Sequence, residues 1–246
     1  MQKNKILVVA DNSDLFKGFK KIIERKKYKN LFSFACSKVS KHNEEFNQVK
    51  CLDLKNDDTL KSIIADYFLV ISLHAKQLFP KKLVKKIRCI NVHPGFNPFN
   101  RGMFPHVFSI INGFPLGVTI HEMDEYIDHG PIIIQEKLDD ETWEDSFEIY
   151  NRLLKLELKL LKENLDKIIN HEYKSVKPSA NGNINFIKDF KSLCNIDLSE
   201  KNTFENFINR LRALSHDEYK NAYFIDKDIN KKVYLKISFT LQDQSS

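Results

Sequence analysis

The chain has 246 residues, a formal net charge of +6 and 42% hydrophobic residues, which suits one large globular domain or one domain with a small appendage. No segment approaches the roughly 18 consecutive apolar residues of a membrane span, and the N-terminal apolar run is too short for a signal peptide, so we expect a cytoplasmic protein that binds no membrane. The positive charge is spread over short lysine clusters and does not support nucleic-acid binding.

The N-terminal half alternates short apolar runs with segments of helical spacing. Strands are predicted at residues 6–10, 31–35, 49–52 and 68–72, and helices around residues 16–23, at residues 59–65 and, as an amphipathic crossover, at residues 81–88. Residues 38–47 are polar and are expected to be exposed. This alternation favours an α/β fold with a doubly wound, mostly parallel sheet. Neither G-x-G-x-x-G nor a Walker A sequence occurs, so NAD or ATP binding through such loops is not expected.

The cysteines give no sign of a metal or redox site. They are widely spaced, without a C-x-x-C pair: Cys36, Cys51, Cys89 and Cys194. We expect reduced, mostly buried thiols and no bound metal.

Asn91 and His93 lie at the end of a predicted strand. The strand is the apolar run of residues 89–92, which is followed by His93-Pro94-Gly95. Because residues two apart in a strand point to one side, Asn91 and His93 should project together beyond the sheet edge. Ligands of open α/β sheets bind outside the carboxyl ends of the strands, so this pair predicts a pocket.

Asp128 is the third polar candidate, since it lies in a loop between two further predicted strands, residues 116–120 and 132–134. The loop could return this carboxylate to His93, where it would fix the tautomer and favour the imidazolium. His93 could act as a general base, and Asn91 could donate to an oxygen on which negative charge develops. As an alternative, Asp128 beside glycine is an ordinary turn residue.

The order Asn91-Val92-His93-Pro94, Arg101-Gly102, Thr119-Ile120 and Ile127-Asp128-x-Gly130 resembles the folate-dependent formyltransferases. The resemblance is strong over residues 68–138 and weak in the flanks. It implies a Rossmann-like formyltransferase core that moves a formyl group from 10-formyltetrahydrofolate to an amine. It also implies that Asn91, His93 and Asp128 are the catalytic trio. The other histidines of this stretch, His106, His121 and His129, match no catalytic position, and packing or surface roles are favoured for them.

The resemblance also implies, by position, a folate pocket lined largely by backbone groups. Its predicted residues are Ala75, Lys76, Gln77, Asp128, His129, Gly130, Pro131 and Ile132. Lys76 replaces the small residue that is usual in the purine and tRNA enzymes, and it could meet a substrate phosphate. A solvated loop lysine is the alternative.

After His93-Pro94 the chain carries Gly95-Phe96-Asn97-Pro98 in place of the Ser-Leu-Leu-Pro of the purine and tRNA enzymes. This version is similar to the sugar N-formyltransferases, which implies a dTDP-linked amino-dideoxy sugar, such as dTDP-4-amino-4,6-dideoxyglucose, as acceptor for O-antigen or other surface polysaccharide synthesis. The candidate acceptor-binding residues are Lys76, Asn97, Phe99, Asn100, Arg101, Gly102, Met103, Tyr219 and Tyr223. Alternatively, the asparagines and glycines of this loop only form turns.

A long helix capped by Thr142 is predicted next, followed by a boundary near residues 175–185. This divides the chain into a catalytic domain, residues 1–178, and a small C-terminal α+β appendage, residues 179–246. The appendage should hold a helix at residues 203–213 and a β-hairpin with strands at residues 221–225 and 233–239. The hairpin's alternating apolar residues leave an edge strand, which favours a homodimer.

Two other functions stay open. The acceptor could be methionyl-tRNA or another small amine, although the tRNA enzyme continues into a full barrel domain where this chain has one hairpin. The protein could also be a catalytically silent nucleotide-sugar binding module, against which the intact trio weighs.

Overall fold

A central sheet organises the protein in a computed structural model that describes residues 5–26, 28–40, 44–178, 180 and 182–243. In chain order the strands are β1 (Lys5–Ala10), β2 (Phe32–Ser37), β3 (Lys50–Leu52), β4 (Tyr67–Leu73), β5 (Arg88–His93), β6 (Arg101–Gly102), β7 (Leu116–Glu122), β8 (Ile132–Leu138), β9 (Ile184–Asn185), β10 (Tyr223–Asp226) and β11 (Lys231–Tyr234). The α-helices are α1 (Ser13–Glu24), α2 (Asp57–Asp66), α3 (Lys81–Val84), α4 (Pro105–Asn112), α5 (Ser146–Asn170), α6 (Ile187–Cys194) and α7 (Phe204–Leu214).

The sheet has seven strands in the order β3-β2-β1-β4-β5-β7-β8. The first five are parallel, and β7 and β8 continue the sheet in antiparallel pairing. Strands β1 and β4 are buried on both faces, as the continuous apolar runs of a covered parallel sheet require. One face packs on α1 and α5 and the other on α2 and α3, with apolar cores on both sides. The predicted α/β fold is confirmed.

Two predicted segments differ in length or exposure. The crossover helix ends at Val84, because Arg88 already pairs with Leu69 in the sheet and donates to the carbonyl oxygen of Ile168 at 2.8 Å. Within residues 38–47, Phe46 is only 1% exposed and packs edge-on against the ring of Phe16, so this stretch is not wholly exposed. Residues 41–43 lie outside the described part of the chain.

Helix α4 was not predicted from the sequence. Six of its residues in a row, Pro105 to Ile110, are buried, so the segment shows no polar face and lacks the amphipathic period by which a helix is recognised. Its ends carry ordinary signals, Pro105 in the first turn and Gly113 in the left-handed conformation after the last.

The long helix α5 begins three residues later than predicted, after Asp145. The Asp145 side chain accepts from the backbone amides of Phe147 and Glu148, and the Glu148 carboxylate accepts from the backbone amide of Asp145. This reciprocal capping box satisfies more of the free amides of the first turn than a lone hydroxyl does. Thr142 is therefore not the cap. No described helix is both long enough and apolar enough to span a bilayer.

The C-terminal segment forms the predicted helix and a short antiparallel hairpin. Thr203 caps α7, and β10 pairs with β11 from Tyr223 to Asp226. Past Tyr234 the chain leaves the hairpin, and the amide of Ile237 donates to the hydroxyl of Ser215. Strand β9 pairs with β6 of the catalytic part. The division at residue 178 stays a prediction.

Asp145→Ala should lower the free energy of unfolding by about 1 kcal/mol, because the first turn of α5 loses its cap. Urea denaturation of the full chain measures this change. Thr142→Ala is the matched control and should change the unfolding midpoint much less. The assignment of the cap would be wrong if the two variants lost the same stability.

Candidate active site

Side chains from β5 and β7 form one polar patch on a face of the sheet. In the antiparallel pairing of these strands, Asn91 lies opposite His121 and His93 lies opposite Thr119. Directly opposed residues project to the same face, so four polar side chains share one surface. Asn91 and His93 are together, as predicted, but they lie on the sheet face within β5 and not beyond its edge.

Asp128 reaches this patch from a loop that folds over the sheet. Strand β7 ends at Glu122, opposite Ile90, so residues 123–131 leave the sheet beside the first half of β5. The loop turns back with Asp128 in the left-handed region, at a φ of 46°. Its Oδ2 lies 3.6 Å from His93 Nδ1, and the predicted return of the carboxylate to His93 is observed.

The Asp128 carboxylate joins three segments of the chain. Asn91 Nδ2 donates to Oδ1 at 2.9 Å, and the backbone amide of Gly102 donates to Oδ2 at 3.0 Å. Gly102 has a φ of 89°, a conformation that strains any residue with a side chain. The glycine therefore allows its amide to reach the carboxylate from the loop of residues 95–103, which is named the acceptor loop after its predicted function.

The charges of the pair follow from burial and contacts. Burial acts to raise the pKa of Asp128, but His93, His121 and the Gly102 amide together outweigh it and hold that pKa below its ordinary value. Burial lowers the pKa of His93 from 6.5 to about 4, against the smaller upward effect of Asp128. Near neutral pH, Asp128 is ionised and His93 is neutral. Asp128 favours the imidazolium, as expected, but desolvation of His93 outweighs this effect and keeps the ring neutral.

The second ring nitrogen of His93 faces away from Asp128 and is the one that can accept a proton. With Nδ1 facing a carboxylate, the neutral ring carries its hydrogen on Nδ1 and its lone pair on Nε2. Nε2 is buried and has no hydrogen-bond partner among the described residues. A Cβ added at Gly95 would lie 2.4 Å from Nε2, so the glycine keeps this approach open.

His121 belongs to the site, although the sequence favoured a packing or surface role. Its Nδ1 lies 2.7 Å from the carbonyl oxygen of Glu122 and its Nε2 lies 3.4 Å from Asp128 Oδ1. The ring therefore lies beside the Asp128 carboxylate, next to Oδ1. Only the register of β7 against β5 reveals this, since thirty positions separate His121 from Asn91.

The loop after β4 is anchored by buried side chains. His74, at a φ of 55°, has Nε2 2.8 Å from Glu157 Oε1 and Nδ1 3.3 Å from the hydroxyl of Tyr150, both on α5. Glu157 is fully buried, and burial raises its pKa. These contacts hold the left-handed turn from which the predicted folate segment starts.

The predicted folate residues of this loop differ in their exposure. The amide of Lys76 donates to Asp11 Oδ2 at 2.6 Å, while the Lys76 side chain is exposed. The Gln77 side chain bonds the backbone of Leu52 and Leu54. Ala75 is half-buried. The loop is thus rigidly held, and Lys76 is the charged side chain that it presents to solvent.

The second predicted folate segment follows Asp128. His129 is exposed and its Nδ1 lies 2.6 Å from Asp124 Oδ2, so its side chain serves the loop. Gly130 is buried, Pro131 accepts from the amide of Glu122, and Ile132 pairs with Val176. Backbone groups of this segment therefore border the trio.

Asparagines hold the acceptor loop from inside. Asn97 is 2% exposed and its Nδ2 donates to the carbonyl oxygen of Asp128 at 2.9 Å. Asn100 has no exposed surface; its Oδ1 accepts from Asn112 and Asn183 and its Nδ2 donates to Ser109. The structure therefore assigns Asn100 to holding the loop and not to contact with a ligand.

The other predicted acceptor residues of this loop are more accessible. Phe99 stacks on Phe114, with ring centroids 4.9 Å apart, and Met103 is 45% exposed. Arg101 is half-buried and reaches the carbonyl oxygen of Ile127 at 3.5 Å. This contact places the guanidinium against the loop that carries Asp128.

The two predicted aromatic residues of the C-terminal segment lie in different settings. Tyr219 is 70% exposed. The ring of Tyr223 lies 5.9 Å from that of Tyr234 and 4.0 Å from Lys232 Nζ, so it packs within the hairpin. Their predicted contact with the acceptor stays a prediction.

The patch combines a buried neutral base, a fixed carboxylate and an amide donor. One Asn91 N–H is bonded to Asp128, and the second has only a long contact, 3.5 Å, to His121 Nε2. That N–H is available to donate a hydrogen bond to an oxygen on which negative charge develops. Among the described residues, no group of three metal-ligating side chains could hold a metal ion.

Comparison with known proteins shows the family of this chain. Residues 1–165 match the formyl transferase family model, and residues 189–241 match the N-formyltransferase dimerization C-terminal domain. The chain belongs to the formyltransferase family. It is 48% identical to dTDP-4-amino-4,6-dideoxyglucose formyltransferase of Mycobacterium tuberculosis over 180 residues, which are 73% of this chain and 76% of that protein.

Two solved formyltransferases share nearly the whole fold. A sugar N-formyltransferase from a Shewanella species superposes with a TM-score of 0.93 at 37% identity, covering 97% of this chain and 99% of that one. A 4-N formyltransferase from Francisella tularensis superposes with a TM-score of 0.90 at 42% identity, with the same coverage. The likeness thus includes the C-terminal helix and hairpin as well as the core.

The imidazole of His93 should titrate near pH 4, because burial disfavours its charged form. Nuclear magnetic resonance of histidine-labelled protein measures this, with His93→Gln identifying the signal. Asp128→Asn should move the pKa further down, since it removes the group that opposes burial. A His93 pKa at or above 6.5 in the folded protein would contradict the proposed charge state.

Proposed function

We propose that this formyltransferase moves the formyl group of 10-formyltetrahydrofolate to the amine of a dTDP-linked amino-dideoxy sugar, such as dTDP-4-amino-4,6-dideoxyglucose. The observation that carries the proposal is the buried, unpartnered Nε2 of a neutral His93, backed by the carboxylate of Asp128. The similarity to the mycobacterial enzyme supports the acceptor, and the likeness to sugar enzymes over nearly the whole chain supports a sugar over tRNA.

His93 acts as the general base. Its neutral ring accepts the proton that the amine loses as the new C–N bond forms. His93 could then return that proton to the leaving folate nitrogen as the bond from that nitrogen to the formyl carbon breaks. The imidazolium that forms between these two steps lies 3.6 Å from Asp128 Oδ2, in a site where little water screens the attraction. Asp128 therefore lowers the cost of protonating His93 without giving up its own charge.

Asn91 stabilises the negative charge that develops on the formyl oxygen. Its bond to Asp128 fixes the plane of the carboxamide, so the second N–H is oriented before the substrates bind. A donor that is already in place costs no reorganisation during the reaction, and one such donor contributes on the order of a hundredfold in kcat.

The residues present fit a folate co-substrate. Gly95 has no side chain, and a Cβ there would clash with His93 Nε2 at 2.4 Å, so the glycine keeps a side chain away from the base. We assign the pterin and formyl ends to backbone groups of residues 75–77 and 128–132, which border the trio. When bound, the co-substrate supplies the activated formyl group.

We assign recognition of the acceptor to the exposed Lys76 and to exposed and half-buried residues of the acceptor loop. Lys76 and Arg101 provide positive charge for the diphosphate, and Phe99, Gly102 and Met103 line the approach to the trio. Tyr219, which is exposed, and Tyr223 are the candidates for stacking on the base.

The matched dimerization domain supports assembly as a homodimer. We place the enzyme in the cytoplasm, where folate co-substrates and nucleotide sugars are made. We further propose that its product supplies O-antigen or another surface polysaccharide, on the strength of the acceptor class alone.

His93→Ala should lower kcat by about a hundredfold or more, the usual scale for loss of a general base, while both KM values change little. Purified protein is incubated with 10-formyltetrahydrofolate and a panel of dTDP-, GDP- and UDP-linked amino sugars. Mass spectrometry then reads the addition of one formyl group. His171→Ala, a change at an exposed histidine after α5, is the control and should retain activity.

The panel tests the function directly. A wild-type protein that formylates no nucleotide-linked amino sugar would sink the proposal. Near-normal kcat in His93→Ala with the true acceptor would leave the function standing but remove His93 as the base.

Lys76→Ala and Arg101→Ala should raise the KM for the dTDP-amino sugar by about ten- to a hundredfold, the range expected for one charge-assisted contact. The KM for 10-formyltetrahydrofolate should move little. Steady-state kinetics with each substrate varied in turn measures both. Arg101→Lys keeps the charge and should recover part of the loss, and Lys162→Ala, at an exposed site on α5, should have no effect. A larger change in the folate KM for both alanine variants would refute this division of the pocket.

A further inference from the structure

Two buried acceptor atoms in the site lack partners. His93 Nε2 and Asn97 Oδ1 bond no other atom in the described part of the chain, although the residues are only 4% and 2% exposed. Buried polar atoms are almost always hydrogen-bonded. Two orphaned atoms in one site therefore indicate a ligand that completes them.

The orientation of Asn97 is settled by its neighbours. Its Nδ2 faces the carbonyl oxygen of Asp128 at 2.9 Å. Because a carbonyl oxygen only accepts, the amide nitrogen must lie on that side and Oδ1 must be the free atom. The backbone amide of Asn97 donates to Thr119, and its carbonyl oxygen accepts from Gln135 at 2.7 Å. The residue is held at three points.

Asp128 and Thr119 connect Asn97 with His93. Asp128 binds the Asn97 carboxamide through its backbone carbonyl and faces His93 Nδ1 through its carboxylate. Thr119 lies opposite His93 in the sheet and accepts the Asn97 amide hydrogen. Both orphaned atoms are acceptors, since Nε2 of the neutral ring carries a lone pair.

We propose that His93 Nε2 and Asn97 Oδ1 form a pair of hydrogen-bond acceptors that selects an amine over a hydroxyl group at the reacting carbon of the acceptor sugar. This inference rests on the function proposed above. Asn97 is thus a specificity-determining residue whose side-chain oxygen contacts the reacting nitrogen.

The selection follows from the number of hydrogen bonds that an amine and a hydroxyl group can each donate. A neutral amine has two N–H groups, one for each acceptor, and its lone pair is left to attack the formyl carbon. A hydroxyl group has one O–H and leaves one buried acceptor unpaired. Such an unpaired group weakens binding by about ten- to a hundredfold, and sites built around polar groups reject ligands that lack the matching hydrogen. The enzyme would thereby exclude the hydroxyl sugars that resemble its substrate.

The test compares two ligands in binding alone. Calorimetry is done with tetrahydrofolate, which has no formyl group to transfer, at about pH 9, where an amine of this kind is largely neutral. The ligands are dTDP-4-amino-4,6-dideoxyglucose and the same nucleotide sugar with a hydroxyl group at C-4. Wild type should prefer the amine by about tenfold or more. Asn97→Ala should reduce that preference by about tenfold.

The ratio of the affinities for the amino sugar and the hydroxyl sugar distinguishes a loss of selectivity from a general loss of binding that follows from a loosened loop. Gln135→Ala is the matched control, because it removes the bonds to the Asn97 carbonyl and to Thr119 but leaves Asn97 Oδ1 in place. It should keep the preference for the amine. Asn97→Asp retains an acceptor oxygen and should keep the preference too, which also covers the case that Asn97→Ala fails to fold.

The inference is overturned if Asn97→Ala prefers the amine as strongly as wild type, or if Gln135→Ala or Asn97→Asp loses the preference to the same extent as Asn97→Ala. Formylation by the wild-type protein decides the underlying function separately. If the amino sugar is formylated but the preference ignores Asn97, only this inference fails. If it is not formylated, the proposed function fails with it.

Discussion

The buried carboxylate of Asp128 is the contact on which the site depends. It accepts from Asn91 and from the Gly102 amide and faces His93, while its backbone carbonyl holds Asn97. A buried charge is tolerated only when such donors compensate for lost solvation. The same contacts that stabilise the anion therefore position β5, the acceptor loop and His93 relative to one another.

The surrounding loops are ordered by protein contacts. His74 and Asp11 hold the loop after β4, and Asn100 holds the acceptor loop against β9. A site built in this way needs little reorganisation when substrates bind, which favours catalysis. Of the predicted acceptor residues, Lys76 is exposed and contributes positive charge. Arg101 and Phe99 are half-buried and contribute a second charge and an aromatic surface. The buried polar residues define the geometry, and the exposed ones are free to define the acceptor.

Much of the fold and the trio could be predicted from sequence because the signals are local. The run ending in His93 predicted a strand that ends in a turn, and the spacing of Asn91 and His93 predicted a shared face. The helix stripe of α5 was equally plain. Where several local signals competed, as with Thr142 and Asp145 at the start of α5, the reciprocal capping box decided the outcome. Helix α4 was not predicted because nearly all of its residues are buried, so its sequence lacks the periodic apolar and polar positions of an amphipathic helix.

The sequence by itself determined the α/β class and the family, and it predicted Asn91, His93 and Asp128 as the catalytic residues. Only the tertiary structure decided their level on the sheet, the neutral state of His93, the place of His121 and the buried role of Asn100. The reason is physical. Strand and turn preferences depend on neighbouring residues, whereas desolvation and cross-strand contacts depend on residues far apart in the chain. His121 and Asn91 are thirty positions apart, yet the register of β7 against β5 places them side by side.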